Sequence, residues 1–465
     1  MPLQGRRLAA GVALTRRLSG LKEIVRPYYL KWLYFRLKEA NCPRPFVDCW
    51  KYPSVRVESS TERLKLSDPE HQDVVFLPMA DWHACIQRSQ HLASTFASMG
   101  HRCFFLNPNL GREFPQTYFG SERVLVSTIE PRVHELHVHL LREPVFHHRL
   151  LRPEENRRIV QAVEDLLRAA GSSRPTLVVS FPLWTEVAVE LRERMGCRIV
   201  YDCHDLLQGF GNISNDLIEA EGHLLASSDL VVFSAQWLME QTMAQHPLTS
   251  ARTALVRNAV NHRDFAAAVA RAPRARDGAA KTVGYVGALS SWFDTEAMRR
   301  AALTHPEWRF VLIGFVGSEK LDELRDIPNV QFHGEVPHSE LPSHLARMDV
   351  AVIPFLKSPL TMATNPIKLY EYFACGLPVV STRLPEVEGF PDLAYCFDTP
   401  EEFVLQLERA MREDDALLRA RRIGVAQRES WVARCAQLNA AIHELDATPV
   451  DDSFLAPRAE LLKGD

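Results

Sequence analysis

The stretch "TNPIKLYEYFACGLPVVST", Thr364 to Thr382, sets a lysine and a glutamate three residues apart at the start of an apolar segment. Asn365 is a favoured N-cap, whose side chain accepts from free helix amides. Pro366 suits the first helical position, where its missing N–H costs nothing. A helix starting there presents its positive end, which is a site for an anion. Lys368 falls in the first turn, where the helix dipole disfavours a cation unless an external anion is its partner. Glu371 follows at i+3 on the same face, and its carboxylate can accept from two vicinal hydroxyls, as on a ribose. Together these residues describe a clamp for a nucleoside diphosphate. The plainer alternative is an exposed Lys–Glu pair worth a few tenths of a kcal/mol. Apolar neighbours at Ile367, Leu369, Tyr370, Tyr372, Phe373 and Ala374 argue for burial, and buried charges require partners.

Three other segments carry reactive side chains. "YDCHDLL" places Asp202, His204 and Asp205 at the end of an apolar strand. Asp205 could orient His204 or serve as a base itself, or it could simply cap the next helix. "ADWHACIQRS" puts Trp82, His83 and Arg88 after the first strong strand, where they would line an acceptor side. "HELHVHL" would set Glu135, His137 and His139 on one face of a strand. At ~3.3 Å per residue, Glu135 and His139 stand roughly 13 Å apart, too far to close on one ion. Ordinary strand alternation is therefore expected there, and no metal. "RARRIG" near Arg419 reads as a solvated helix face.

Short apolar runs alternating with helical segments must position these groups. "DVVFLP", "HRCFFLNP", "TLVVSF", "CRIVYD" and "DLVVFS" read as strands in the first part, with a helix over Arg88 to Met99. Continuous Val/Ile/Leu runs, rather than strict alternation, indicate strands covered on both faces. The pattern restarts with "TVGYVG", "WRFVLIG", "NVQFHG", "DVAVIPF" and "PVVST". The expected fold is α/β, with two consecutive doubly wound parallel-sheet units facing a cleft. We expect a basic extension over 1–70, a first unit over 71–269, a linker over 270–281 and a second unit over 282–415. A helix over 416–447 would cross back to the first unit, followed by a tail over 448–465.

The bulk numbers fit this division. A chain of 465 residues exceeds one ordinary core, since domains hold about 150 residues. A formal net charge of −4 excludes a global bias toward nucleic acid, and nine scattered cysteines without a C-x-x-C pair indicate a reducing compartment. The expected location is thus cytoplasmic. Residues 1–38 depart from the rest, with nine Lys/Arg against one acid. That pattern suits a basic amphipathic helix on an anionic membrane surface, contacted through residues 1–40 at the inner face of the membrane. A poorly ordered tail is the alternative, and a transit peptide a third.

"NPIKLYEYFACGLPVVST" resembles the nucleotide-binding segment of GT-B-fold glycosyltransferases of the family 4/family 1 group. It is closest to a branch acting on bacterial surface polysaccharides, of the teichuronic-acid type. "RSQHLASTFASMGHRCFFLNP", "IVYDCHD", "SSDLVVFSAQWL", "VRNAVNHRDF" and "VGYVGALSSWFD" match in order and spacing, over about Val74 to Leu445. The resemblance implies two Rossmann-like domains and transfer from a nucleotide-diphosphate sugar, by family habit a UDP-sugar, to a glycan or lipid-linked acceptor. It places Glu371 at the donor ribose, Lys368 and Asn365 at the diphosphate, and Gly287 at a turn approaching the phosphates. His204 resembles a cleft-facing histidine, which with Asp205 would be catalytic. Such a fold neutralises diphosphate with protein groups, consistent with the absence of D-x-D, so no cofactor is expected. Two departures stand out: Ala363 occupies the position of an acid eight residues before the ribose glutamate, and "VRNAVNHRDF" has Ala259 and Asn261 for the usual Gly and Asp. A nucleotide-sugar 2-epimerase and a degenerate nucleotide-binding scaffold remain alternatives.

Overall fold

The computed structural model describes residues 54–56, 66, 68–83, 86–108, 123–140, 149–211, 213–248, 252–271, 280–413 and 415–447. The basic amino end, most of the expected linker and the tail lie outside them. Among the described residues no helix is long and apolar enough to cross a membrane.

The first unit is a nine-stranded sheet. In chain order its strands are β1 (Ser54–Arg56), β2 (Val74–Leu77), β3 (Cys103–Leu106), β4 (Arg123–Glu130), β5 (Val133–His139), β6 (Thr176–Val179), β7 (Arg198–Cys203), β8 (Leu230–Phe233) and β9 (Thr253–Leu255). Their spatial order is β1-β4-β5-β3-β2-β6-β7-β8-β9. The run from β5 to β9 is parallel, while β4 pairs antiparallel with both β5 and β1. Successive side chains on a strand face opposite ways, and both sets here are apolar. Val75 and Leu77 enter one core, and Val74 and Phe76 the other. That double burial is why the strands read as unbroken apolar runs.

The second unit has six parallel strands: β10 (Thr282–Val286), β11 (Arg309–Ile313), β12 (Val330–Gly334), β13 (Val350–Ile353), β14 (Val379–Thr382) and β15 (Ala394–Phe397). They lie in the order β12-β11-β10-β13-β14-β15, with one continuous core. The strand order reverses between β2 and β6 in the first unit and between β10 and β13 in the second. In doubly wound sheets ligands bind at such points, beyond the carboxyl ends of the strands.

Three boundaries differ from expectation. β1, inside the span expected as a basic extension, pairs with β4 in the first unit's sheet. Val260 and Phe265 pack into the second unit's core, so the His262–Arg271 helix belongs with that unit and the division falls before it. The expected crossing helix is two helices, Ala416–Arg428 and Trp431–Ala447. Only the second covers the first unit, burying Trp431, Cys435, Leu438 and Ile442 over the Val74/Phe76 face.

Candidate functional site

The segment quoted first becomes a helix over Ile367–Ala374 whose N-cap is Pro366, with no side-chain cap. Asn365 is therefore neither cap nor diphosphate-facing side chain, because the seam between the units has taken its polar atoms. Its Oδ1 accepts from the Asn258 backbone N–H at 2.8 Å, and its Nδ2 donates to Tyr370 Oη and Glu386 Oε2, each at 3.0 Å. Asn258 Nδ2 returns a bond to the Asn365 carbonyl at 2.6 Å. Glu386 in turn accepts from Arg257 Nε at 2.6 Å and the Gln236 N–H at 2.7 Å. Nothing in the local sequence could reveal this, since Asn258 lies 107 residues away.

Lys368 and Gly287 do come together. Gly287 follows β10 at the reversal point with φ +136°, and a Cβ there would meet Lys368 Nζ at 2.9 Å. The ammonium lies over the rings of Phe355 (4.8 Å) and Tyr285 (5.1 Å). Among the described residues it has no hydrogen-bonded or ion-paired acceptor. Burial draws its pKa from 10.5 down to about 8, against the opposing pull of Glu371. A lysine so placed is a cation awaiting a counter-charge. Gly314, ending β11 at φ +142°, packs so closely that an added Cβ would stand 2.0 Å from the Gly287 carbonyl oxygen. The paired glycines bring two strand ends together beneath the lysine.

Glu371 is buried, and its Oε1 accepts from His338 Nε2 at 3.0 Å. Burial lowers the His338 pKa, but Glu371 and then Asp264 outweigh it, and the net direction is up. His338 was not foreseen, although it lies just past the end of β12, where a strand-end argument would look. Its ring meets that of His91 at 5.4 Å, and His91 stacks on Trp431 at 4.8 Å. Burial, and then His338, holds His91 neutral with a pKa near 3. Beside His338 opens a cavity of about 830 Å³, walled by Arg263, Asp264, Ser339 and Arg347 and reached by Ile86 of the first unit.

In the first unit, His204 lies between two acids: Nε2 is 3.7 Å from Asp205 Oδ2, and Nδ1 is 2.9 Å from the Asp202 carbonyl oxygen. Asp205 does not cap the following short helix, whose N-cap is Leu206 without a side-chain bond. Burial raises the Asp205 pKa, with His204 opposing and Asp202 adding to the rise. A carboxyl tuned upward beside an imidazole suits proton transfer.

The acceptor-side residues divide. Trp82 does not line a cleft. It is buried against Phe105, edge to face at 5.0 Å, since its large apolar area is better used in the core. Arg88 is also withdrawn: its Nε bonds Asp202 at 2.8 and 3.1 Å, and its Nη1 reaches Asn258 Oδ1 at 3.0 Å. It thereby links β7 to the inter-unit seam. Only His83 keeps partial exposure, with Nε2 on Glu135 Oε2 at 2.8 Å. Ala363, the missing acid, is fully buried in the first unit's core.

Residues 280–413 match the family described as Glycosyl transferases group 1. "Putative teichuronic acid biosynthesis glycosyltransferase TuaH" of Bacillus subtilis (strain 168) is 25% identical over 256 residues, covering 50% of this chain and 64% of that relative. Among solved structures, sucrose-phosphate synthase of Thermosynechococcus elongatus aligns with a TM-score of 0.61 at 17% identity, over 81% of this chain and 100% of that one. Anabaena HepE in complex with UDP and glucose aligns at 0.56 and 15%, over 80% and 100%. An UDP-forming trehalose-phosphate synthase of Burkholderia xenovorans gives 0.58 and 12%, over 81% and 100%. The fold is GT-B, and the resemblance seen in the sequence holds.

Proposed function

We propose that this protein is a glycosyltransferase that moves a sugar from a nucleotide-diphosphate donor, a UDP-sugar, to a glycan or lipid-linked acceptor in surface-polysaccharide synthesis. The observation that carries this reading is Lys368: a half-buried ammonium beside the Gly287 turn, without an acceptor among the described residues and one helical turn from Glu371. The family match over 280–413 covers the same unit. UDP is the favoured nucleotide because two of the similar folds are described as UDP-bound or UDP-forming. The relative named for teichuronic acid synthesis supports the surface-polysaccharide acceptor.

In this reading the acceptor oxygen bonds the anomeric carbon as the bond from that carbon to the β-phosphate oxygen breaks. Asp205, with His204 beside it, takes the acceptor proton. Lys368 and the amides at the Ile367–Ala374 helix start stabilise the diphosphate as it leaves. Glu371 holds the ribose, with His338 positioning its carboxylate. No metal is needed at the diphosphate, because Lys368 supplies the charge. Calorimetry of the full chain against UDP, GDP and dTDP, repeated on Glu371→Ala, tests the donor site. Binding of UDP in preference, lost in the variant, is the expected result. If no nucleotide binds, the reading falls.

A further inference from the structure

Two acid-x-histidine pairs far apart in sequence, Asp81-Trp82-His83 and Glu135-Leu136-His137, meet in the first unit. The first lies in the turn after β2, and the second lies on β5. The sheet order places the carboxyl ends of β2, β3 and β5 side by side, next to the reversal point between β2 and β6. On a strand, residues two apart share a face, so Glu135 and His137 point the same way. His137 Nε2 stands 3.2 Å from Glu135 Oε2, and His83 Nε2 reaches that same oxygen at 2.8 Å. One ligand atom each from Asp81, His83 and Glu135 lie within 4.8 Å of one another.

We propose that Asp81, His83 and Glu135, with His137 alongside, form a divalent-cation site best suited to zinc. With zinc–ligand bonds near 2.0–2.1 Å, adjacent atoms of a tetrahedral set stand about 3.3 Å apart. The His137 separation at Glu135 Oε2, 3.2 Å, lies close to that edge length, and the 2.8 Å hydrogen bond to His83 is one that an ion would widen. The ligand type also fits, since imidazole and carboxylate together suit zinc. Charge balance points the same way: two carboxylates meet two imidazoles in a site where Glu135 is 0% and Asp81 9% exposed. One bound dication would neutralise that pair of carboxylates.

The surrounding bonds hold the donors in place. Asn107 Nδ2 donates to the other Glu135 oxygen at 2.8 Å, fixing the carboxylate so that Oε2 turns to His83 and His137. The His83 N–H donates to Asp81 Oδ1 at 2.9 Å, and Gln90 Nε2 donates to the Asp81 carbonyl at 3.0 Å. Such outer bonds orient ligands in metal sites. The "HELHVHL" strand could not close on an ion by itself; the missing ligands come from the β2 turn, 52 positions earlier. The ion would pin that turn to β5 and is independent of the donor clamp.

The test uses the full chain, untagged and purified without chelator. Elemental analysis by mass spectrometry is expected to find close to one zinc per chain. After stripping with a chelator, cobalt(II) should give a visible d–d spectrum that zinc abolishes. The isosteric Glu135→Gln and His83→Asn variants, checked by circular dichroism for native fold, should each lose both signals while UDP affinity persists. A folded wild-type chain that neither retains zinc nor shows the cobalt spectrum would reduce the cluster to a proton-sharing network and overturn the proposal. Variants that bind cobalt as the wild type does would overturn it equally, by placing the ion elsewhere.

Discussion

Raising the pH from 7 to 9 should weaken UDP binding through Lys368 alone. Burial has lowered this lysine from 10.5 to about 8, so the free protein loses the charge within an ordinary working range. A bound diphosphate returns the counter-charge and keeps the proton on. Binding above the free pKa must therefore recruit a proton, and affinity falls about tenfold per unit there. Between pH 7 and 9 the protonated fraction drops from roughly nine-tenths to roughly one-tenth, so Kd should rise about tenfold, or roughly 1.4 kcal/mol. Calorimetry in two buffers of different ionisation heat would also show about half a proton taken up per UDP at pH 8. Lys368→Arg keeps its charge and should flatten the profile; Lys368→Met should bind weakly at every pH. The sign for stability is opposite to that for binding. With its folded pKa below the unfolded one, the unfolded chain holds the extra proton between pH 8 and 10.5. The nucleotide-free protein should therefore gain stability across that window, by at most roughly 3 kcal/mol. A Kd unchanged from pH 7 to 9, with Lys368→Arg indistinguishable from wild type, would refute the role given to this ammonium.

Other outcomes follow from the same geometry. Arg88→Met strands the Asp202 carboxylate at 1% exposure and should cost about 3–5 kcal/mol in urea denaturation; adding Asp202→Asn should restore part of the loss. Gly314→Ala forces a Cβ to within 2.0 Å of the Gly287 oxygen at φ +142°, so it should destabilise by more than the roughly 1–3 kcal/mol of backbone strain alone. His338 has its folded pKa raised by Glu371 and Asp264 over the effect of burial. Its stabilising contribution is thus complete below about 6.5 and disappears as pH rises through the folded value. Urea midpoints at pH 5.5 and 8.5 should show that trend in the wild type, and His338→Gln should remove it.

The parallel strands were legible because burial on both faces leaves no polar alternation to confuse them, as in "TLVVSF" and "DLVVFS". Lys368 stood out as a helix-starting cation, and Gly287 only through the family resemblance; the structure sets the two side by side at the reversal point of a doubly wound sheet. Pairing between distant segments was not. Neither the seam bonds of Asn365 nor the Glu371–His338 bond leaves a periodic trace in the chain. Trp82 and Arg88 were assigned to a surface because they follow a strand, but a turn does not reveal which way its side chains point. In both cases the interior won, through apolar area for Trp82 and through a buried carboxylate for Arg88. The break between the last two helices was similarly hidden, since both halves carry helical residues throughout.

The seam also bears on modularity. From Asp202 through Arg88, Asn258 and Asn365 to Glu386 and Arg257, a single hydrogen-bonded chain runs from the first sheet into the second unit. Exchanging Arg88 singly leaves the Asp202 carboxylate without its guanidinium, and exchanging Asn365 leaves the Asn258 N–H without its acceptor. A chimera that grafts the second unit of a similar fold onto this first unit would inherit half of that chain. Its success should depend less on overall similarity than on whether the donor brings an asparagine and an acid at the positions of Asn365 and Glu386. Recombination within this fold would then have a grammar written at the joint, and libraries of hybrids could be filtered on a few positions before any are made.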